Sequence, residues 1–279
     1  MMMRRVSCLA TMLAVVALGA DGPKRDNVRL VERKQGDVIS IWAQLTECTE
    51  ATVTVDLSLT NMEATRKSPI TVDVDAPTTE VVRLAPLDPR FQHQYRYTFS
   101  SRVGKRPRGG VPDATKMKRT VYMLPYDRDA SFEVSQGRIG RTSHFKGTED
   151  ENAIDWLMPI GTNVRAARSG TVVGFRADAT VTGLDPNNKP LANHILIKHD
   201  DGTLADYLHL KTDGVAVRLG QKVREGDLLG YSGNTGYTDR PHLHFVVFYN
   251  VDGKTRRNVP VLFRTKDGRD DPLEEGKTY

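Results

Sequence analysis

The chain has 279 residues, 38% of them hydrophobic before its 23 glycines are counted. That composition excludes a wholly disordered or collagen-like polymer, and at about 150 residues per domain the length predicts two domains. Forty Lys and Arg against 35 Asp and Glu leave a net charge of only +5. With no dense basic stripe interleaved with aromatics, no nucleic-acid partner is expected.

Residues 1–20 read as a secretory signal peptide, because Arg4 and Arg5 precede an apolar run, Val6 to Leu18, that ends at the small residues Gly19 and Ala20. The run is shorter than the roughly 18 to 20 apolar residues that span a bilayer, and no later stretch replaces it, so no membrane span is expected after cleavage. A secreted or periplasmic location in the cell envelope follows. Cys8 sits near the start of the run, where a lipid-anchored cysteine would follow it. Its removal leaves Cys48 alone, so an intramolecular disulfide is excluded and a core or a metal must hold the fold.

Residues 21–101 alternate apolar and polar positions over short runs: Ile39 to Trp42, Ala51 to Leu57, Ile70 to Val74, Val81 to Leu84 and Tyr95 to Phe99. Period two with turn residues between runs predicts a small N-terminal β-sandwich. Its one histidine, His93, reads as a surface or turn residue. Residues 102–125 are basic and rich in Pro and Gly around Lys105 to Pro112, which predicts a linker. Residues 126–250 again show short strands punctuated by glycine turns, so the second domain is also expected to be mainly β. The charged residues 251–279 read as a tail, either a surface hairpin or a loose end.

Six of the seven histidines lie in the second domain. In Pro241-His242-Leu243-His244-Phe245 the apolar, β-rich surroundings predict a strand, which places His242 and His244 on one face and Leu243 and Phe245 on the other. Two imidazoles so placed can share a metal, or one can bind it while the other handles protons. The glycine-flanked turn Gly233-Asn234-Thr235-Gly236 just before them is suited to leave a site open. His194 and His199 are five apart and face opposite sides of a regular strand, so neither is favoured as a ligand. There is no His-Glu-x-x-His, no Gly-x-Ser-x-Gly and no phosphate-binding glycine loop.

Ser232 to Gly236 followed by Pro241 to Phe245 resembles the closing motif of the lysostaphin/LytM-type zinc endopeptidases. Asn193 to Leu210, Val223 to Gly230 and Ala153 to Thr162 resemble further blocks of that family in the same order, from about Ser135 to Tyr249. The resemblance implies an antiparallel β domain of the duplicated hybrid motif type. It also implies Asp155 and His244 as zinc ligands, His209 and His242 as catalytic histidines beside the metal, and peptidoglycan peptides as substrate. Zinc accepts imidazole and carboxylate donors and, with three protein ligands, leaves a position for water.

The sequence departs from the family at the third ligand. The family's His-x-x-x-Asp would need a histidine at position 151, which is Glu151. One repair uses His144, after Ser135-Gln136-Gly137 and Ser143, a lead-in similar to that of a family branch with a comparable insertion. The other uses Glu151 itself, since carboxylate oxygen is an acceptable zinc donor. His144 is the favoured choice, and Gln136 is placed to hydrogen-bond nearby. The competing expectation is a catalytically degenerate domain that binds peptidoglycan or activates another wall hydrolase.

Overall fold

The computed structural model describes residues 27–110, 119–138 and 144–279. The signal segment expected at residues 1–20 lies outside them. Among the described residues no helix is long and apolar enough to cross a membrane.

Among the described residues the regular structure is nearly all β. The first half of the chain supplies β1 (Val28–Gln35), β2 (Val38–Leu45), β3 (Ala51–Thr60), β4 (Met62–Ala64), β5 (Ile70–Val74), β6 (Thr78–Pro86) and β7 (Gln94–Val103). These form two facing sheets, β1-β2-β6-β4 and β5-β3-β7. The alternation read from the sequence explains them: Ile39, Ile41 and Ala43 of β2 meet Val53, Val55, Val72 and Val74 across the sandwich in one apolar core.

The second half supplies β8 (Val121–Met123), β9 (Val134–Gln136), β10 (Ile154–Leu157), β11 (Asn163–Arg165), β12 (Gly170–Arg176), β13 (His194–Lys198) and β14 (Leu204–Leu208). It continues with β15 (Leu210–Val215), β16 (Lys222–Val223), β17 (Leu228–Ser232), β18 (His242–Asn250), β19 (Arg256–Asn258), β20 (Leu262–Arg264) and β21 (Asp270–Asp271). The large antiparallel sheet runs β16-β12-β13-β14-β18-β10-β9, with β19 on the far end of β18. Its inner face, with Trp156, Ile195, Ile197, Tyr207, Leu243 and Phe245, packs on the small sheet β11-β17-β15.

The ends of the second domain are more firmly built than a tail and a linker. The segment 251–279 contains a hairpin, β20 paired antiparallel with β21, and it is also anchored inside: Val259, Val261, Phe263 and Leu273 enter the second core, and Phe263 meets Trp156 edge-on at 5.5 Å. Charged residues alternate with these apolar ones and masked a strand pattern whose partner, β8, is distant in sequence and parallel. The linker is also shorter than 102–125, because Arg102 and Val103 end β7 and the buried Tyr122 sits in β8.

β18 explains how the two halves meet. Leu243, Phe245, Val247 and Tyr249 face the second core. On the opposite face His242 and His244 come first, then Val246 and Phe248, which cluster with Ala153, Val173, Leu196, Leu204 and Val103 of the sandwich. Asn250 ends the row, donating to the carbonyls of Val103 at 2.9 Å and Gly104 at 2.8 Å. A side chain at Gly104 would strike Leu204, with its Cβ 2.4 Å from Leu204 Cδ2. The sandwich therefore covers one half of a sheet face whose other half carries the histidines.

Candidate metal centre

Strand register brings the predicted residues together. Asp155 on β10 lies opposite His244 on β18 and opposite Gln136 on β9, while His244 lies opposite Leu208 on β14 and Leu208 opposite His194 on β13. Since directly opposed residues share a face, a row of Gln136, Asp155, His244, Leu208 and His194 crosses five strands. His144 reaches the row from the loop between β9 and β10.

Ligand atoms of His144, Asp155 and His244 all lie within 4.8 Å of one another, and all three residues are buried. His244 Nδ1 is 2.8 Å from Asp155 Oδ1, and Gln136 Nε2 donates to Asp155 Oδ2 at 2.9 Å. His144 Nδ1 faces the Gly137 carbonyl at 3.1 Å, which assigns the proton to Nδ1 and turns Nε2 inward. That Nε2 lies 3.2 Å from Asp155 Oδ2 but is buried without an aligned hydrogen bond. Burial alone would raise the Asp155 carboxyl, but the His244 and His144 rings beside it prevail and hold it well below the ordinary carboxylate range. Glu151, the alternative third donor, turns away and accepts from the Gly147 backbone N–H at 2.7 Å.

His209 follows β14, where a regular strand would turn it to the face opposite Leu208. Its backbone instead takes φ +63°, an uncommon left-handed conformation for a side-chain-bearing residue that costs on the order of 1–2 kcal/mol. The turn swings its ring to 4.5 Å from His242 and 5.9 Å from His244, centroid to centroid. Both outer rings have their Nδ1 atoms tied to backbone carbonyls: His209 to Thr235 at 2.7 Å and His242 to Arg240 at 2.8 Å. Each therefore presents an unprotonated Nε2. Burial, then the neighbouring His242 and His244, push His209 down to about 3.

The Thr235 carbonyl is itself locked. Thr235 Oγ1 accepts from the Asn193 backbone N–H at 3.0 Å and donates to the Leu210 carbonyl at 2.8 Å. Gly236 sits at φ +86° with its missing Cβ only 2.7 Å from Ala192 Cβ, so no larger residue fits this loop as it stands. The glycine-flanked turn seen in the sequence thus serves to aim His209. Asp150 was not legible as a neighbour of the site, yet its Oδ1 comes within 3.8 Å of His244 Nε2. Of the remaining histidines, His199 is buried with Nδ1 at 2.8 Å from the Ser169 carbonyl, and His194 stands 3.6 Å from Asp206 Oδ1. Tyr207 is a core residue whose hydroxyl accepts from the Ala167 N–H.

The sequence has relatives among known proteins. Residues 149–256 match Peptidase family M23. The chain is 36% identical over 141 residues to the peptidoglycan DD-endopeptidase ShyA of Vibrio cholerae, an alignment that covers 49% of this chain and 30% of that protein. It is 37% identical over 129 residues to the cell division protein DipM of Caulobacter vibrioides, covering 46% of this chain and 20% of DipM. Among solved structures, lysostaphin from Staphylococcus simulans aligns at 27% identity and a TM-score of 0.34, over 46% of this chain and 47% of that one. The chain thus spans less than a third of the length of either curated relative. Residues 149–256 of this chain are a peptidase family M23 domain.

Proposed function

We propose that the protein is a secreted zinc endopeptidase that hydrolyses peptide bonds of bacterial peptidoglycan. His144, Asp155 and His244 are the metal ligands, and His209 and His242 are the catalytic histidines. The observation that carries this reading is the convergence of three buried donor atoms within 4.8 Å, one of them an imidazole nitrogen without a hydrogen-bond partner. Two imidazoles and one carboxylate suit zinc and leave room for a water. The relatives named for peptidoglycan cleavage support the substrate class. The apolar segment at residues 6–18 supports export.

A bound zinc ion would supply Lewis acidity, polarising the scissile carbonyl and lowering the pKa of a water at the site towards neutrality. The protein's own groups do the rest. With Nδ1 committed to a carbonyl, the Nε2 atoms of His209 and His242 are the two acceptors available to the attacking water's proton. After protonation, the same Nε2–H stabilises the oxyanion of the tetrahedral intermediate and delivers the proton to the leaving amine. Gln136 holds one carboxylate oxygen of Asp155, which fixes its orientation towards the two ligand histidines.

The test is zinc stoichiometry and hydrolysis of purified sacculi by the same preparation. About one zinc per chain, with release of peptide fragments that is lost together with the metal in His244→Ala, is the expected result. Folded protein that takes up no zinc, or that binds zinc and leaves sacculi intact while cutting a secreted protein, contradicts it.

A further inference from the structure

The loop from His144 to Asp155 begins and ends on proposed ligands, and its middle is fastened from outside the second domain. Arg102, at the end of sandwich strand β7, pairs through Nη2 with the Glu149 carboxylate. The same guanidinium donates through Nε to the Lys254 carbonyl at 3.1 Å. The Glu149 backbone carbonyl accepts from Arg256 Nη2 and from Asn258 Nδ2, and Asn258 Nδ2 also donates to the Glu151 carbonyl at 2.8 Å. Arg256 is in turn seated on the Phe248 ring, 4.4 Å from its centroid, within the apolar cluster shared by the two domains. Through these contacts the sandwich, β18 and β19 all converge on Glu149. The next residue, Asp150, is the one whose carboxylate approaches His244.

Such fastening has a physical purpose. Up to Asn152 the loop has almost no apolar anchor of its own, since Phe145 is half exposed and residues 146–152 are polar or glycine; only Ala153 and Ile154 at its end are buried. A free loop of this kind would pay the ordering entropy of its residues each time His144 met the metal. A loop already held in place does not.

We propose that Arg102 and Glu149 form a cross-domain strap, in which Arg102 is a positioning residue contributed by the N-terminal sandwich that holds the His144 loop in its metal-binding form. The sandwich is then part of the metal site's support as well as a neighbouring domain. The inference rests on His144 being a ligand.

The measurement is zinc affinity of the full chain, by competition with a chelator of known affinity, alongside the urea midpoint of each protein. Arg102→Ala and Glu149→Gln should each weaken zinc binding by about tenfold, the scale expected for groups that orient ligands. The double variant should weaken it no further than Arg102→Ala alone, because that substitution already removes the Arg102–Glu149 pair along with the bonds to the Lys254 carbonyl. Glu50→Gln cuts a second cross-domain pair, Lys198 to Glu50 at 2.5 Å, which is more shielded than the Arg102–Glu149 pair, without touching the loop, and should leave zinc affinity unchanged. Unchanged affinity in the two strap variants overturns the proposal, as does an equal loss in Glu50→Gln, which would mean that domain docking in general is responsible. If His144→Ala keeps wild-type affinity, the ligand assignment itself fails, an outcome distinct from either.

Discussion

At the residue scale, the five proposed site residues differ in how they could be read. His242 and His244 are two apart in an apolar segment, so the two-residue repeat of a strand suffices to aim them together. Asp155 emerged from a short block resemblance. His209 needed more, because only a left-handed backbone turn brings it to the same face as His242, and nothing in Leu208-His209-Leu210 announces that turn. His144 is eleven positions before Asp155, and no periodicity connects a loop residue to a strand residue; the loop's path turns His144 inward and Glu151 against Gly147, which favours His144 of the two repairs. The consequence is testable by substitution. His144→Ala should lose zinc and hydrolysis together, whereas Glu151→Ala should retain zinc, as read by metal content after dialysis. His242→Gln should keep zinc but lower kcat by about 10² to 10⁴, the usual worth of a positioned general base or acid. Equal zinc loss in both ligand candidates would remove the distinction drawn between them.

At the element scale, β18 does two jobs because its two faces are both buried. The alternation that feeds the second core through Leu243, Phe245 and Val247 leaves the histidines and then Val246 and Phe248 on the other side. The individual strands were legible because alternation is local. Their pairings were not, because they join distant segments, as when β20 lines up parallel with β8 across more than 130 residues. The same reason hid the role of residues 251–279. Phe263 is fully buried against Trp156, Phe245 and Tyr122. Phe263→Ala should therefore destabilise the protein by about 3–5 kcal/mol, read from urea denaturation. A loss below 1 kcal/mol would restore the picture of a peripheral tail.

His199, at the end of β13, gives the same core a pH response. Burial lowers its ring from the ordinary 6.5 to about 4. The unfolded chain then takes up the proton first as pH falls, so the native state keeps its full advantage above about 6.5. It loses that advantage progressively towards 4, by on the order of 3 kcal/mol. His199→Gln, compared with the wild type in chelator throughout, should show a shallower fall in urea midpoint across that window. Parallel curves would show that His199 does not contribute.

For the whole molecule, the main finding is that the sandwich is seated on the face that carries the candidate metal centre. Apolar contacts through Val103, carbonyls reached by Asn250, and the Lys198–Glu50 and Lys254–Asp56 pairs join the two halves. No sequence signal foretold this. Val246 and Phe248 read simply as strand residues, and what covers them comes from a segment about 145 positions earlier. A chain reduced to residues 119–279 would expose that cluster, so it should bind a hydrophobic dye and unfold at lower urea than the full protein. Equal urea midpoints and no dye binding would show that the halves are independent.

The proposed activity requires a single ion held by residues from three separate stretches of the second domain. Anomalous scattering at the zinc edge, from crystals of the purified full chain, measures this directly. The expected result is one strong peak bounded by His144, Asp155 and His244, with His209 and His242 alongside. A peak held by Glu151 in place of His144, or no peak in zinc-supplemented crystals, would contradict it.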